Sequence, residues 1–419
     1  MNSRERVKAA LSHVEPDRVP FDFGATPVSG ISAGALARLR PALGLPYKPV
    51  KVHEPFQVLG DVEEDVIERV GGDVIGLWTP KTFMGYKNEN WKPWELMDGT
   101  KVLVGEGFAV DRADDGGWVL YPQGDRTAPP SARMPNNGIY FDAIVRQEKY
   151  DEDNMDGRGD WKDQVSVLRD DELLFYENNA KELFDNTDLA IIGNYMFLSI
   201  GDAAQIPGPG TKITPGVRKA DEWYMAHLLH PGYIHDIYSF QLETAMKNLP
   251  LYKEAVGDRI EAVLVSGTDF GTQRGLFISP DMFREFYKPY YKKINDWIHE
   301  NTNWKTFYHC CGSVVDLLDD FVDMGVDILN PVQCSAAKMD PVMLKDKYGD
   351  KLVFWGGGVD VQKTFPFGTP EEVYEETTAR LTLFSKGGGL VFGCIHNIQA
   401  NVPTENIVAF IDAIRDFNA

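Results

Sequence analysis

The sequence predicts an α/β fold in which eight parallel strands and the helices between them close into a barrel. Short apolar, β-prone runs alternate with helical patterns about eight times along the chain. The length of 419 residues suits a barrel with an insertion, since barrels of this kind often exceed about 250 residues as one domain. An open doubly wound sheet is the alternative, but no Gly-x-Gly-x-x-Gly segment follows the first run.

The strands are predicted from runs of apolar and β-branched residues bounded by turn-forming residues. In chain order they are Val19–Gly24, Asp73–Trp78, Leu189–Tyr195, Ala262–Asp269, Lys305–Cys311, Val326–Val332, Lys351–Gly358 and Gly389–Cys394.

The helices are predicted from amphipathic periodicity and from start and stop residues. Ser3 caps the first helix, Pro41 stops the second, and Ser279-Pro280 is a good helix start. The predicted helices are Ser3–Ser12, Ala33–Arg40, Val62–Val70, Asp221–Asn248, Phe277–Glu300, Val314–Met324, Pro341–Lys347, Pro370–Lys386 and Thr404–Phe417.

The alternating pattern breaks over residues 81–186. Two short alternating runs, Lys101–Val110 and Gly117–Leu120, flank the turn sequence ADDGG, which is typical of a β-hairpin. A Pro/Asn-rich loop and a polar helical stretch follow. We therefore expect one barrel domain over 1–419 with an inserted hairpin/loop cap between strands 2 and 3, because connections of this length are more often functional than idle.

Composition excludes several classes of partner. The formal net charge of −21 argues against nucleic acid and anionic membranes. The four cysteines form no disulfide framework, so free thiols and a reducing compartment are expected. The N-terminal stretch lacks the apolar core of a signal peptide, and no apolar run approaches the roughly 18 residues that span a bilayer. We expect a cytoplasmic protein, with a homodimer among the possible oligomeric states.

Polar and aromatic side chains stand at the carboxyl ends of the predicted strands, where barrel enzymes carry their chemistry. They are Asp22, Trp78, Asn194, Tyr195, Asp269, His309, Cys311, Asn330, Gln333, Trp355, Cys394 and His396. Asp22 and Asp269 could instead cap the following helices, and Asn330 could be a turn residue or a support for a ligand.

Three of these residues predict a metal site. His309 and Cys311 are two residues apart in a strand, so they can face one ion, and Cys394 ends another strand. One His and two Cys leave the fourth zinc position open, as in catalytic zinc sites. Buried structural cysteines are the plain alternative. His396 is a rival ligand, and Cys310 would serve only if the strand ended one residue earlier.

Five segments resemble the uroporphyrinogen decarboxylase superfamily, which is a (β/α)8 barrel of the TIM type. They are SRERVKAALSHVEPDRVPFDFG, GTDFGTQRGLFISPDMFREFYKPYYKKI, HCCGSVVDLLDDFVDMGVDILNPVQ, FWGGGVDVQKTFPFGTPEEV and HNIQANVPTENIVAFIDAI. The resemblance covers most of the chain outside the insertion.

The superfamily contains two chemistries. True decarboxylases are metal-free and carry an arginine motif after the first strand, whereas this chain reads FDFGATPVSGIS there and has no arginine until Arg38. The cobamide-dependent methyltransferases bind zinc through a His-x-Cys-Gly motif and a later Cys. The resemblance to that branch implies Zn2+ on His309, Cys311 and Cys394.

Within that branch we expect methyl transfer from a methoxylated, aromatic donor to the cobalt of a corrinoid (cobalamin) carried by a partner corrinoid protein. The chain is longer than expected of enzymes that methylate a thiol such as coenzyme M, which is the alternative. A uroporphyrinogen-type decarboxylase and a non-catalytic corrinoid- or tetrapyrrole-binding module are further alternatives.

The predicted roles follow from this chemistry. Zinc would stabilise charge on the leaving phenolate, and Asp269 or His396 would supply its proton. The residues expected to bind the small-molecule methyl donor or the thiol acceptor are Asp22, Trp78, Asn194, Tyr195, Gln273, Asn330, Gln333 and Trp355.

Overall fold

The computed structural model describes residues 1–195 and 198–419. Over these residues the strands are β1 Val50–Glu54, β2 Leu59–Gly60, β3 Val74–Leu77, β4 Lys92–Glu95, β5 Lys101–Val104, β6 Val110–Arg112, β7 Trp118–Leu120, β8 Ala132–Met134, β9 Asp142–Ala143, β10 Ala190–Gly193, β11 Ala262–Ser266, β12 Lys305–His309, β13 Ile328–Asn330, β14 Val353–Trp355 and β15 Leu390–Val391. The helices are α1 Ser3–Leu11, α2 Ala33–Ala42, α3 Glu64–Val70, α4 Gly157–Trp161, α5 Asp170–Asn186, α6 Ala220–Leu229, α7 Pro231–Val256, α8 Pro280–Phe286, α9 Lys288–Asn301, α10 Leu318–Asp323, α11 Pro341–Tyr348, α12 Thr364–Phe367, α13 Pro370–Phe384 and α14 Thr404–Phe417.

A seven-stranded parallel sheet forms the centre of the fold. Its order is β15-β14-β13-β12-β11-β10-β3, so each strand pairs with the next of the series along the chain. Helices lie between successive strands, and buried apolar residues on both faces of the sheet separate it from solvent. Sequential parallel strands joined through helices are the arrangement of a (β/α)8 barrel, so the predicted fold class is confirmed.

The eighth place in the barrel is taken by the segment around Phe21. Phe21 forms a parallel bridge with Phe392, and its carbonyl accepts the N–H of Asp73 at 2.8 Å. The Asp73 carboxylate accepts the Phe21 N–H at 3.0 Å and pairs with Arg6 and Arg18 at 2.7 and 2.8 Å. This segment therefore connects β15 to β3, with far less regular pairing than the strand predicted over Val19–Gly24.

Helix α1 closes the amino-terminal end of the barrel. Its residues Val7, Ala10 and Leu11 are buried in one cluster with interior strand residues such as Val74 and Ile192. The amino end is therefore filled by apolar side chains, and the carboxyl end of the strands is left for a site.

Two predicted helices are each interrupted near a proline. The pattern over Asp221–Asn248 is two helices, α6 and α7, because the residue before Pro231 is disfavoured in helical backbone. The segment after Ser279 is likewise split at Tyr287, one residue before α9 begins with Lys288-Pro289. The predicted start holds, since the Ser279 side chain accepts the Met282 N–H at 3.1 Å.

The inserted region forms two small sheets. One has the order β2-β1-β5-β4, and the other has the order β6-β7-β8-β9. Strands β1 and β2 precede β3, so part of the first sheet comes from outside residues 81–186. Helix α5 contacts α7, β3 and β10, so it belongs to the outer helical layer of the barrel.

Within the described residues, every helix is too short or too polar to cross a lipid bilayer.

Candidate functional site

The end of strand β12 carries two of the predicted metal ligands. His309 is its last residue, and the Cys311 Sγ lies 3.2 Å from His309 Nε2. Cys310 faces the other way and its sulfur accepts the Phe270 N–H at 3.3 Å. The alternation of side chains along an extended chain therefore places His309 and Cys311 together, as predicted from their spacing.

Asn330 fixes the orientation of the His309 ring. The His309 Nδ1–H donates to Asn330 Oδ1 at 2.6 Å, and Asn330 Nδ2 donates to the Trp355 carbonyl at 3.1 Å. Both side chains are buried. Because the proton is held on Nδ1, the lone pair of Nε2 points to Cys311, which is the orientation a metal ligand needs.

His396 completes the group. The ligand atoms of His309, Cys311 and His396 all lie within 4.8 Å of one another. The two imidazole rings are 5.4 Å apart between centroids. Burial, with a smaller effect of His309, lowers the pKa of His396 to about 3, so the ring is neutral at physiological pH and can act as a ligand.

Cys394, the third ligand implied by the resemblance, lies outside this group of ligand atoms in the described residues. Its thiol is buried, and burial with a smaller effect of Asp22 raises its pKa well above the usual range. The chain bends at Ile395 and His396 just after β15 ends. Strand alternation therefore no longer governs which side chain reaches His309, and the bend brings in His396.

One carboxylate, Asp269, lies beside the group, and a second, Asp202, is close enough to Asp269 to feel its charge. Asp269 Oδ1 accepts the Cys311 N–H at 2.5 Å and is 3.8 Å from His309 Nε2. Asp202 is buried and accepts the Ala204 N–H at 2.9 Å. Burial raises the pKa of Asp202 to about 6, with the charge of Asp269 adding to the rise. A carboxyl group in this state can hold a proton near neutral pH.

Sequence reasoning missed Asp202. It lies in the loop after β10, at the carboxyl end of the barrel. The sequence signal that could have identified it is an acidic residue after Gly201, in the segment that follows a strand. However, Asp202 lies too far along the chain from the predicted strand Leu189–Tyr195 to be predicted as a residue at the carboxyl end of that strand.

Other predicted residues support the site from within the protein. Trp355 Nε1 donates to Asp22 Oδ2 at 2.8 Å, and Asp22 Oδ1 accepts the Ala25 N–H at 2.9 Å. Gln333 Oε1 accepts the Gly312 N–H at 2.8 Å, just after Cys311. The side chains of Asp22 and Gln333 thus hold neighbouring loops in place.

Of two further predicted binding residues, Tyr195 packs away from this group, whereas Gln273 follows Thr272, whose carbonyl accepts the Ser313 N–H at 2.8 Å. Tyr195 stacks on Tyr252 of α7 with ring centroids 4.6 Å apart, which places it in the layer between sheet and helices. Gln273 is exposed in the loop after β11, and its backbone carbonyl accepts the Ala337 N–H at 3.0 Å.

Trp78 and Asn194 line a cavity of about 830 Å³. Gly24 and Ala25 line it from the first barrel segment, and helices α3 and α5 form its outer wall. His309, Cys311 and His396 are not among its lining residues. The cavity is lined along the whole of β3, from Val74 to Leu77, whereas the metal-competent group lies at the carboxyl end of β12 and after β15.

Comparison with known proteins relates the chain to one family. Residues 259–417 match the family described as uroporphyrinogen decarboxylase (URO-D). A uroporphyrinogen decarboxylase from Psychromonas ingrahamii is 32% identical over 80 residues, covering 19% of this chain and 22% of that protein. One from Pseudoalteromonas atlantica is 26% identical over 183 residues, covering 41% of this chain and 49% of that protein. The chain thus spans half or less of the length of these curated relatives.

The fold also matches a solved structure over its whole length. A methyltransferase from Methanosarcina mazei superposes with a TM-score of 0.53 and 15% identity, covering 100% of both chains. At this identity the likeness concerns the fold.

Proposed function

Because the chain carries a uroporphyrinogen decarboxylase family domain over residues 259–417, we propose that it is a metal-dependent methyltransferase of that superfamily. The observation that carries the proposal is the group His309, Cys311 and His396, whose ligand atoms converge at the carboxyl end of the barrel. The methyltransferase with the same fold in Methanosarcina mazei supports the same class of reaction.

The donor set fits a zinc ion. Zinc bonds sulfur at about 2.3 Å and imidazole nitrogen at about 2.0–2.1 Å, so two tetrahedral ligands of these kinds lie about 3.5 Å apart. The Cys311 Sγ and His309 Nε2 are 3.2 Å apart, close to that value. Three protein ligands would leave one position for a substrate, and there the ion would act as a Lewis acid on the oxygen that loses its methyl group.

The choice of third ligand affects the charge of the site. One thiolate and two imidazoles leave a zinc ion with a net charge of about +1, whereas two thiolates and one imidazole leave it neutral. A net positive site stabilises an anionic leaving oxygen more strongly. We therefore propose His396 as the third ligand, with Cys394 as the alternative implied by the superfamily.

The remaining residues of the site position groups and move a proton. Asn330 holds the His309 tautomer, and Asp269 holds the backbone of Cys311 in place through its N–H. When the C–O bond of a methyl ether breaks, its electron pair stays on the oxygen. We propose Asp202 as the group that protonates that oxygen, because burial raises the pKa of its carboxyl to about 6 and lets it carry a proton up to that pH.

The methyl group is proposed to move from a methoxylated aromatic donor to the reduced cobalt of a corrinoid carried by a partner protein. All four cysteines are unpaired. A reducing, cytoplasmic setting would keep Cys311 available as a ligand and would suit a reduced cobalt acceptor.

Decarboxylation of a polyanionic tetrapyrrole fits the site less well. Among the described residues the large cavity is lined by eight acidic side chains and three lysines, and by no arginine. Arg38, the first arginine after the Phe21 segment, donates to the Ala400 carbonyl at 2.6 Å and lies 3.6 Å from Asp98. The carboxylates of such a substrate would meet repulsion here.

A methyl-transfer assay tests the proposal. The purified protein is incubated with cob(I)alamin and a panel of methoxyaromatic donors, and methylcobalamin is followed by absorbance. We expect zinc-dependent transfer that is lost in Cys311→Ser. Full activity after complete removal of zinc by a chelator would refute the proposal.

A further inference from the structure

The cavity beside Trp78 is large enough for a substrate. At about 830 Å³ it lies within the range of about 300–1,000 Å³ that is typical of small-molecule sites. Aromatic side chains line it from several elements: His53, Trp78, Phe83, Trp91 and Phe175. The His53 and Trp78 rings are 4.0 Å apart between centroids.

Two buried amide oxygens in the cavity wall lack partners. Asn194 Nδ2 donates to the Ala25 carbonyl at 2.8 Å, and Asn88 Nδ2 donates to the His53 carbonyl at 2.6 Å. These bonds fix both amides, and in residues 1–195 and 198–419 neither Oδ1 has a hydrogen-bond partner. Asn194 is only 1% exposed. Leaving a buried acceptor unpaired is costly, so a ligand with N–H donors would satisfy either oxygen once a small shift of the amide opens it to the cavity.

The charge of the cavity wall is negative. All three lysines that line it are in ion pairs: Lys48 with Glu63, Lys81 with Glu172 at 3.1 Å and Lys87 with Asp171 at 3.8 Å. Five lining carboxylates have no cation within 4.0 Å in the described parts of the chain: Glu54, Asp61, Glu64, Glu89 and Glu182.

Two further groups of the wall are compatible with a cation. Burial lowers the pKa of His53 to about 3, so its ring is neutral and adds no opposing charge. Burial raises the pKa of Glu54 to about 7, although the N–H groups of Gln57 and Phe56 oppose the rise. Glu54 can therefore ionise in response to a bound cation.

Aromatic faces, unpaired acceptors and net negative charge together favour one class of ligand. Aromatic rings attract cations through their negative faces, and amide oxygens accept N–H bonds from a protonated amine. We propose that this cavity binds an organic cation consisting of a protonated amine on an aromatic framework. Resting on the proposed function, that cation is the methyl donor, an aryl methyl ether with an aminoalkyl side chain, whose methoxy group must extend beyond the cavity to reach the metal-competent group.

Binding is tested on the whole protein by calorimetric titration with 4-methoxyphenethylammonium and with 4-methoxyphenylacetate, which has a similar ring but a negative charge. The double variant Glu64→Lys/Glu182→Lys reverses two charges in the wall. The matched control, Glu68→Lys/Glu177→Lys, changes two exposed residues of α3 and α5 that do not line the cavity. Both variants have the same net charge.

We expect the amine to bind at least tenfold more tightly than the carboxylate. A change of four charge units at about 6 Å, the radius of a cavity of this size, should weaken amine binding about tenfold in Glu64→Lys/Glu182→Lys at 0.15 M salt. The control variant should bind as the parent does. Equal binding of amine and carboxylate, or equal effects of the two double variants, would overturn the proposal.

Methyl transfer is measured separately from binding. Bound amine that never methylates cob(I)alamin, in a protein that demethylates other ethers, would refute the cation as methyl donor. Failure with every donor would refute the proposed function, while the titration still decides what the cavity binds.

Discussion

Asn330 gives the sharpest test of how the metal-competent group is held. Its Oδ1 accepts the His309 Nδ1–H at 2.6 Å, and both residues are at most 2% exposed. In Asn330→Leu the ring loses the partner that its Nδ1 has among residues 1–195 and 198–419, so the tautomer and the orientation of Nε2 are no longer set. Losing such a support lowers metal affinity by about 10–100-fold, or about 1.4–2.8 kcal/mol.

Because Asn330 and His309 are both buried, we expect the loss of zinc affinity in Asn330→Leu to lie at the upper end of this range. Asn330→Asp keeps an acceptor for Nδ1–H and makes it negative, which raises the basicity of the imidazole, so zinc should bind at least as tightly as in the parent. Both variants lose the 3.1 Å bond from Nδ2 to the Trp355 carbonyl. The contrast between them therefore isolates the bond to His309.

Competition with a chromogenic zinc chelator measures the affinities. The control is Asn295→Leu, which removes another buried amide whose Nδ2 donates to a backbone carbonyl, that of Met324 at 2.9 Å. We expect Asn295→Leu to reduce stability but to keep zinc affinity. Unchanged zinc affinity in Asn330→Leu would refute the role assigned to Asn330.

Three further variants test other parts of the account. Asp73→Asn should lower the free energy of unfolding by about 3 kcal/mol in urea melts, because it breaks a buried pair with Arg6 and Arg18; equal melts of parent and variant would contradict this. Asp202 has a folded pKa raised from 3.8 to about 6, so folding takes up a proton between these values and stability falls as pH rises through this range. Asp202→Asn should remove that loss and be more stable than the parent at pH 8, by about 3 kcal/mol, while kcat/KM loses its fall above about pH 6; a parent-like pH profile would refute the proton-donor role. Cys394→Ser should retain most bound zinc whereas Cys311→Ser should lose it, as measured by metal analysis, and the opposite pattern would favour Cys394 as the third ligand.

Much of the fold could be predicted because apolar runs and helical periodicity are local signals. Strand β12 and the capped start of α8 at Ser279 lie where the sequence indicates. The segment around Phe21 pairs less regularly than a predicted strand should, because its N–H and carbonyl are satisfied by Asp73 and the bridge to Phe392, contacts that local sequence does not reveal.

The candidate site could be predicted only where spacing determines geometry. His309 and Cys311 share one strand, so alternation brings them together. His396 reaches them through a bend after β15, and Asp202 lies in a loop near Asp269, so neither position follows from strand periodicity. The cavity beside Trp78 forms where α3, α5 and the sheet β2-β1-β5-β4 meet. Contacts between such distant segments are not visible in local sequence patterns.

X-ray absorption spectroscopy of the zinc-loaded protein tests the central claim most directly. We predict one sulfur at about 2.3 Å and two imidazole nitrogens at about 2.0–2.1 Å. The fourth ligand should be an oxygen or nitrogen atom, not a sulfur. Two sulfurs around the ion, or a protein that binds no zinc at all, would contradict the group of His309, Cys311 and His396 as the metal site.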